Sequence, residues 1–215
     1  MKAKPQPIPA VGRTVARAVD EGAVRAEPIT HLIGGHLALD FCNTAGEHLA
    51  ERPDEMFCDW ESFVRWAIQV GLIGPESYLE LLRHPRSVDP IMQLREVIYR
   101  VGLAIVGNRR VPRRDLASIH KQANAARPAI TVRGNGVRWR PDPSQASAQL
   151  RAVLANEALS LFCSPKALRI GMCEGEMCGW LFLDESRGKR RRWCDMNDCG
   201  SRAKARRYYE RQKGQ

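Results

Sequence analysis

Apolar residues recur at helical spacing through much of the chain. One stripe follows the spacing i, i+3, i+4 and i+7: Phe63, Trp66, Ala67 and Val70. This spacing predicts an amphipathic helix with one face towards a core. Asp59 stands just before the stripe and is expected to cap the helix through its carboxylate.

Similar patterns predict further helices and a hairpin. The helices are expected at four places: 76–83, 89–107, 112–126 and 145–162. Ser144 is the expected cap of the last of these. Two β-prone runs between residues 129 and 140 surround Gly134-Asn135-Gly136 and predict a β-hairpin. The fold class is therefore mainly α with a small β-hairpin, and residues 168–171 form a short strand that leads into the C-terminal region.

The C-terminal region contains one cysteine pattern twice. Cys173 and Cys178 are followed by Gly179, and Cys194 and Cys199 are followed by Gly200. Two such pairs supply the four thiolates of a tetrahedral structural zinc site, so we expect one structural Zn²⁺ ion. Each glycine is expected to allow a tight knuckle turn around the sulfurs.

The positive charge of the chain is concentrated around these cysteines. Residues 187–214 contain eleven Lys and Arg against three Asp and Glu, a net charge of +8, whereas the whole chain carries +10. A basic module built on zinc is typical of nucleic-acid binders. The candidate nucleic-acid-binding residues are Lys189, Arg190, Arg191, Arg192, Arg202, Lys204, Arg206, Arg207 and Arg211.

The helix expected at 201–213 carries the last five of these residues. Its basic groups would contact DNA, and Ala203, Ala205 and Tyr208 would contact the zinc module. Trp180 and Trp193 lie beside ligand cysteines, where they either stack on unpaired bases or pack over the metal site; we favour packing.

The string Arg-Trp193-Cys194-Asp-Met-Asn-Asp-Cys199-Gly200-Ser201-Arg202 resembles the zinc finger named for its Cys-Gly-Asn-Arg motif, CGNR. Ser201 replaces the motif's Asn, and either side chain could cap the following helix. The segment Gly-Gly-His36-Leu-Ala-Leu-Asp40-Phe-Cys-Asn43-Thr44 resembles the ABATE domain, described as a stress-induced transcription regulator in bacteria. The resemblance implies a helical body followed by a small treble-clef-like β/α zinc-knuckle module.

Together these patterns predict three parts. Residues 1–28 are expected to be a mobile N-terminal extension, 29–166 a mostly helical ABATE-like domain, and 167–215 a CGNR-type zinc finger with a basic C-terminal helix. With almost no linker between them, the finger is expected to pack on the body rather than move freely. The other cysteines, Cys42, Cys58 and Cys163, are expected to be buried apolar residues.

Four polar residues in the first apolar segment are a candidate ligand pocket: His36, Asp40, Asn43 and Thr44. The alternative is that they cap and hydrogen-bond the local backbone. They lack a nucleophile partner or a firm third metal ligand, so no catalytic residue is predicted and we do not expect an enzyme.

The leading hypothesis is a zinc-dependent transcription regulator that binds duplex DNA through the finger and senses or dimerises through the body. The alternatives are an RNA- or ribosome-associated zinc protein, and a small-ligand-binding protein or enzyme that uses the Asp40–Thr44 region. A homodimer and an unknown small-molecule effector belong to the leading hypothesis. No apolar stretch is long enough to span a membrane and no signal peptide is evident, so a cytoplasmic location is expected, associated with the nucleoid if DNA is bound.

Overall fold

A computed structural model describes residues 31–127, 129–133 and 136–213. The α-helices are α1 Leu37–Cys42, α2 Trp60–Gln69, α3 Tyr78–Leu82, α4 Asp89–Val106, α5 Arg113–Ala123, α6 Ala146–Phe162 and α7 Ser201–Lys213. The strands are β1 Ala45–Gly46, β2 Asp54–Glu55, β3 Ala129–Arg133, β4 Gly136–Arg140, β5 Ile170–Met172 and β6 Leu181–Leu183. They form three antiparallel pairs, β1–β2, β3–β4 and β5–β6.

The fold class agrees with the sequence: the described chain is mainly helical, with small hairpins and a C-terminal cysteine module. The predicted hairpin is β3–β4, in which Val132 pairs with Val137. Its turn residues Gly134 and Asn135, like the extension expected at 1–28, lie outside the described residues.

Of the two helix caps that the sequence predicted in the body, one is present and one is absent. Asp59 caps α2 as predicted, because its Oδ1 accepts from the Ser62 N–H at 2.8 Å and the Ser62 hydroxyl accepts from the Asp59 N–H at 3.1 Å. The predicted Ser144 cap is wrong. The Ser144 N–H and hydroxyl both donate to the Asp142 carboxylate (2.9 and 2.8 Å), so Ser144 lies in an Asx turn and α6 begins after Gln145.

The hydrophobic core of the body lies around α4, which packs against α1, α5 and α6. One end of the core is an aromatic cluster with ring centroids 5.3–6.3 Å apart, made by Phe41, Phe57, Phe63 and Trp66. Two of these rings belong to the stripe that predicted α2, and both are fully buried. The amphipathic pattern therefore located the core face of this helix correctly.

Strand β6 joins this core to the C-terminal module. Leu181 and Leu183 face the body core, and Phe182 between them packs with the four cysteines near the C-terminus. This is the alternation expected of a strand between two apolar layers. Gly102 of α4 lets β6 approach closely, because a Cβ there would lie 2.6 Å from a Leu181 methyl carbon.

The remaining cysteines differ from expectation at two positions. Cys42 is buried, as predicted, but Cys58 and Cys163 are exposed. Cys58 lies just before α2 and Cys163 just after α6, where the chain returns to the surface. Across the described ranges, no helix combines the length and apolarity needed to cross a membrane.

Candidate zinc centre and basic helix

The four predicted ligand cysteines converge on one point. Cys173 follows β5 and Cys178 precedes β6. Cys194 lies just before a π-helical turn, Met196–Gly200, and Cys199 lies within it. All four are buried, and their sulfurs lie within 4.8 Å of one another. The Cys178–Cys194 and Cys194–Cys199 sulfur pairs are 3.6 Å apart. Zn–S bonds of about 2.3 Å in a tetrahedron put sulfurs about 3.8 Å apart, so the arrangement fits one zinc ion.

Hydrogen bonds between these sulfurs change the acidity of three of the four thiols. The pKa of Cys173 is well below its usual range because the Cys178 and Cys194 thiols donate hydrogen bonds to its sulfur. The pKa values of Cys178 and Cys194 are raised, first by their hydrogen bonds to Cys173. Because zinc binds cysteine as the thiolate, zinc binding here would favour ionisation of all four thiols. Zinc bound there supplies a structural cross-link between the two cysteine pairs.

The two glycines after the cysteine pairs have different roles. Gly179 has φ +65°, in the left-handed region that favours glycine, as the knuckle prediction requires. Gly200 is helical, and a Cβ there would lie 2.7 Å from the Met196 sulfur. At Gly200 the missing side chain allows close packing inside the π-helical turn, and no left-handed backbone conformation is required.

Ser201 does not cap α7. Its hydroxyl donates to the Met196 carbonyl at 3.2 Å, whereas the Asp195 carboxylate accepts from the Asn197 N–H at 2.6 Å. Because the π-helical turn continues into α7, the cap lies at Asp195, before the turn. The cap expected at Ser201 is therefore wrong.

The finger is held on the body by hydrogen bonds, as the short linker predicted. The Asn43 side chain exchanges two hydrogen bonds of 2.9 Å with the backbone of Leu181. The Trp180 indole donates to the Ala45 carbonyl at 2.8 Å, and the Tyr99 hydroxyl donates to the carbonyl of the knuckle glycine at 2.9 Å. Trp180 and Trp193 both pack against the cysteine cluster, as favoured above.

The four candidate pocket residues are all hydrogen-bonded to the backbone, three of them locally and Asn43 across to β6. Nδ1 of His36 accepts from an α1 N–H at 3.2 Å, and the Thr44 hydroxyl donates to an α1 carbonyl at 2.8 Å. The Asp40 carboxylate accepts from the Gly34 N–H at 2.8 Å, and burial raises the pKa of Asp40 to about 6. With Asn43 bonded to β6, none of the four lines either of the two described cavities. The geometry supports the local capping alternative at His36, Asp40 and Thr44, whereas Asn43 bonds the finger.

The basic loop is not uniform. Lys189 and Arg190 are exposed. Arg192 is exposed and pairs with Glu174. Arg191 lies across the Phe182 ring with its guanidinium carbon 4.2 Å from the ring centroid. Its guanidinium donates to four carbonyls: those of Ile33, Leu183, Trp193 and Cys194. Arg191 therefore fastens the finger to the body.

Helix α7 projects from the zinc module with its side chains exposed, apart from a half-buried Ala203. Ala205 and Tyr208 are exposed, so the expectation that they contact the zinc module is wrong at these two positions. The candidate cations Arg202, Lys204, Arg206, Arg207 and Arg211 are all exposed along this helix.

Two acidic residues were missed by the sequence analysis. Glu174 and Glu176 lie between the first two cysteines and pair with Arg192 and Arg206, respectively. Residues 173–186 contain four acids and no Lys or Arg, so the available indication was an acidic segment next to the basic run at 187–214. Tyr99 was also missed, because nothing in α4 distinguishes a core tyrosine from one that binds the finger.

Two family comparisons match the chain. The ABATE family, described as a putative stress-induced transcription regulator, matches residues 35–165, and the CGNR zinc finger matches residues 169–212. Neither description names an enzyme. A search of curated proteins finds no match to the chain.

Proposed function

Because the chain belongs to the ABATE family and carries a CGNR zinc finger, we propose that it is a zinc-dependent transcription regulator that binds duplex DNA through the finger. The observation that carries this proposal is α7: a thirteen-residue helix, exposed along its length and rich in Lys and Arg. An exposed basic helix has the width to enter a major groove and the charge to neutralise phosphates.

The body has a separate role in this proposal. A single small module buries only about 600–1,000 Å² on DNA, so specific binding needs a second copy or help from the body. Because Asn43, Tyr99 and Arg191 fasten the finger to the body, a change in the body that accompanies an effector or dimerisation would move α7. The family description favours a bacterial stress response, and DNA binding would place the protein in the cytoplasm at the nucleoid.

The test is a binding titration of the zinc-loaded full chain against a random-sequence duplex DNA pool and a matched RNA pool. It is run at several salt concentrations, and the bound fraction is sequenced. We expect duplex binding that weakens with salt and enriches a sequence. Absence of duplex binding at low salt would overturn the proposal.

One observation favours an RNA-binding alternative. Tyr208 and Tyr209 are 58% and 65% exposed in the middle of the basic helix, and exposed aromatic rings stack on unpaired bases. Preference for the RNA pool, lost on Tyr208→Ala, would select this alternative.

A further inference from the structure

The cations of α7 fall on two nearly opposite faces. At 3.6 residues per turn, Arg202, Arg206 and the terminal Lys213 lie on one side of the helix, and the other three cations are centred about 150° away. These three, Lys204, Arg207 and Arg211, are called the outer face below. Arg202 and Arg206 are called the inner face, because they line a cavity between the finger and the β1–β2 hairpin of the body.

The inner face is already occupied by partners within the chain. Arg202 donates to Asp198 at 3.2 Å and to the Cys199 sulfur at 3.2 Å. Arg206 pairs with Glu176, which lies in the first knuckle. A guanidinium next to a zinc-ligand sulfur offsets thiolate charge and orients the ligand. These two arginines therefore hold α7 on the zinc module.

The cavity beside the inner face has the wrong charge for DNA. Its volume is about 330 Å³, and four carboxylates line it: Glu47, Asp54, Glu176 and Asp198. They outnumber the two arginines, which leaves a net charge of −2. Three of the zinc-ligand cysteines also line it, and a zinc ion with four thiolates adds a further −2. Phosphates approaching this side would meet repulsion from nearby charges.

The outer face has no such partners among residues 31–127, 129–133 and 136–213. Lys204, Arg207 and Arg211 are exposed. Arg207 and Arg211 donate only to α7 carbonyls, at 3.4 and 3.2 Å. Within the described ranges, none of these three cations forms an ion pair. Their charges are therefore available to phosphates without first breaking an internal contact.

We propose that duplex DNA is bound by the outer face of α7, and that Arg202 and Arg206 are positioning residues that fix the helix on the zinc module. This inference rests on the proposed function and deepens it. Cations that are already paired within the chain position the helix, and cations without an internal partner bind DNA. The order of the residues along the chain does not reveal this difference.

Two neighbouring residues provide a matched test. Arg206→Gln and Arg207→Gln each remove one positive charge at adjacent positions about 100° apart, one on the inner and one on the outer face. Gln is a good helix former. Zinc-loaded full-length variants are titrated with the duplex pool, or the sequence selected from it, across a series of salt concentrations.

We expect Arg207→Gln to lower the slope of log K against log salt by about 0.9 and to raise Kd about five- to tenfold at about 0.1 M salt. The double variant Arg207→Gln/Arg211→Gln should lower the slope by about 1.8. Arg206→Gln should keep the wild-type slope, because it removes no phosphate contact, so any change in Kd should be the same at every salt concentration. It should also release zinc faster to a chromogenic chelator, a change that Arg207→Gln should not show.

The outcomes separate the two proposals. An equal loss of salt slope in both single variants, or a larger loss of slope in Arg206→Gln, would overturn the division of faces while leaving DNA binding established. A wild-type protein that binds no duplex would overturn the proposed function and this inference together. Preference for RNA with the same dependence on Arg207 would keep the outer face as the binding surface but reject duplex DNA as its partner.

Discussion

Replacement of Asn43 by alanine tests how the finger is attached to the body. Asn43 is fully buried, as is Leu181, and its amide satisfies both the N–H and the C=O of Leu181 at 2.9 Å. Alanine would leave both backbone groups buried without a partner. Each unsatisfied group costs about 1–3 kcal/mol, so Asn43→Ala should lower the free energy of unfolding by about 2–6 kcal/mol.

That loss is large against the 5–15 kcal/mol that typically separates folded from unfolded domains, about 10 kcal/mol at the middle of the range. The assay is urea unfolding of the zinc-loaded full chain, followed by circular dichroism and tryptophan fluorescence. Zinc release to a chelator is measured in parallel. It should accelerate in Asn43→Ala, because β6 begins three residues after Cys178.

Asn156→Ala is the matched control. The Asn156 amide also makes two hydrogen bonds, to the Ala123 and Ala152 carbonyls at 3.1 and 2.8 Å, but the residue is exposed and water can replace it. Its loss should cost less than about 1 kcal/mol. The reasoning is refuted if the two variants lose the same stability, or if Asn43→Ala unfolds like the wild type. The latter result would return Asn43 to the ligand-pocket hypothesis.

Two further predictions concern the zinc centre and a buried acid. Cys194→Ser should bind less zinc than the one ion expected per wild-type chain, and its residues after 170 should lose protease resistance. The control Cys163→Ser, at an exposed cysteine, should retain both properties. Full zinc content in Cys194→Ser, measured by atomic absorption, would refute the four-cysteine site. Burial raises the Asp40 pKa from 3.8 to about 6, so the native state binds this proton more tightly than the unfolded state. Asp40 therefore favours folding below about pH 4, and that contribution is lost as pH rises through about 6. In urea unfolding at pH 7, the free energy of unfolding of Asp40→Asn should exceed that of the wild type by about 3 kcal/mol, and the two should converge near pH 4. A difference that does not depend on pH would contradict this.

Local chemistry let the sequence determine several features by itself. The paired cysteines each fold around a short loop, so their spacing alone indicated the zinc cluster before any long-range contact was known. The cap at Asp59 and the stripe through Phe63 and Trp66 depend on neighbours three or four residues away, which the sequence displays directly. The same holds for α7, whose predicted range agrees with the structure.

Only the tertiary structure decided which polar and charged groups are free. Arg190, Arg191 and Arg192 are consecutive, yet the first is exposed, the second crosses the finger–body contact and the third pairs with Glu174. Asn43 is separated from Leu181 by 138 residues. The role of such a side chain depends on which distant backbone or carboxylate the fold brings within about 3 Å, a distance that hydrogen bonding requires and local sequence does not encode.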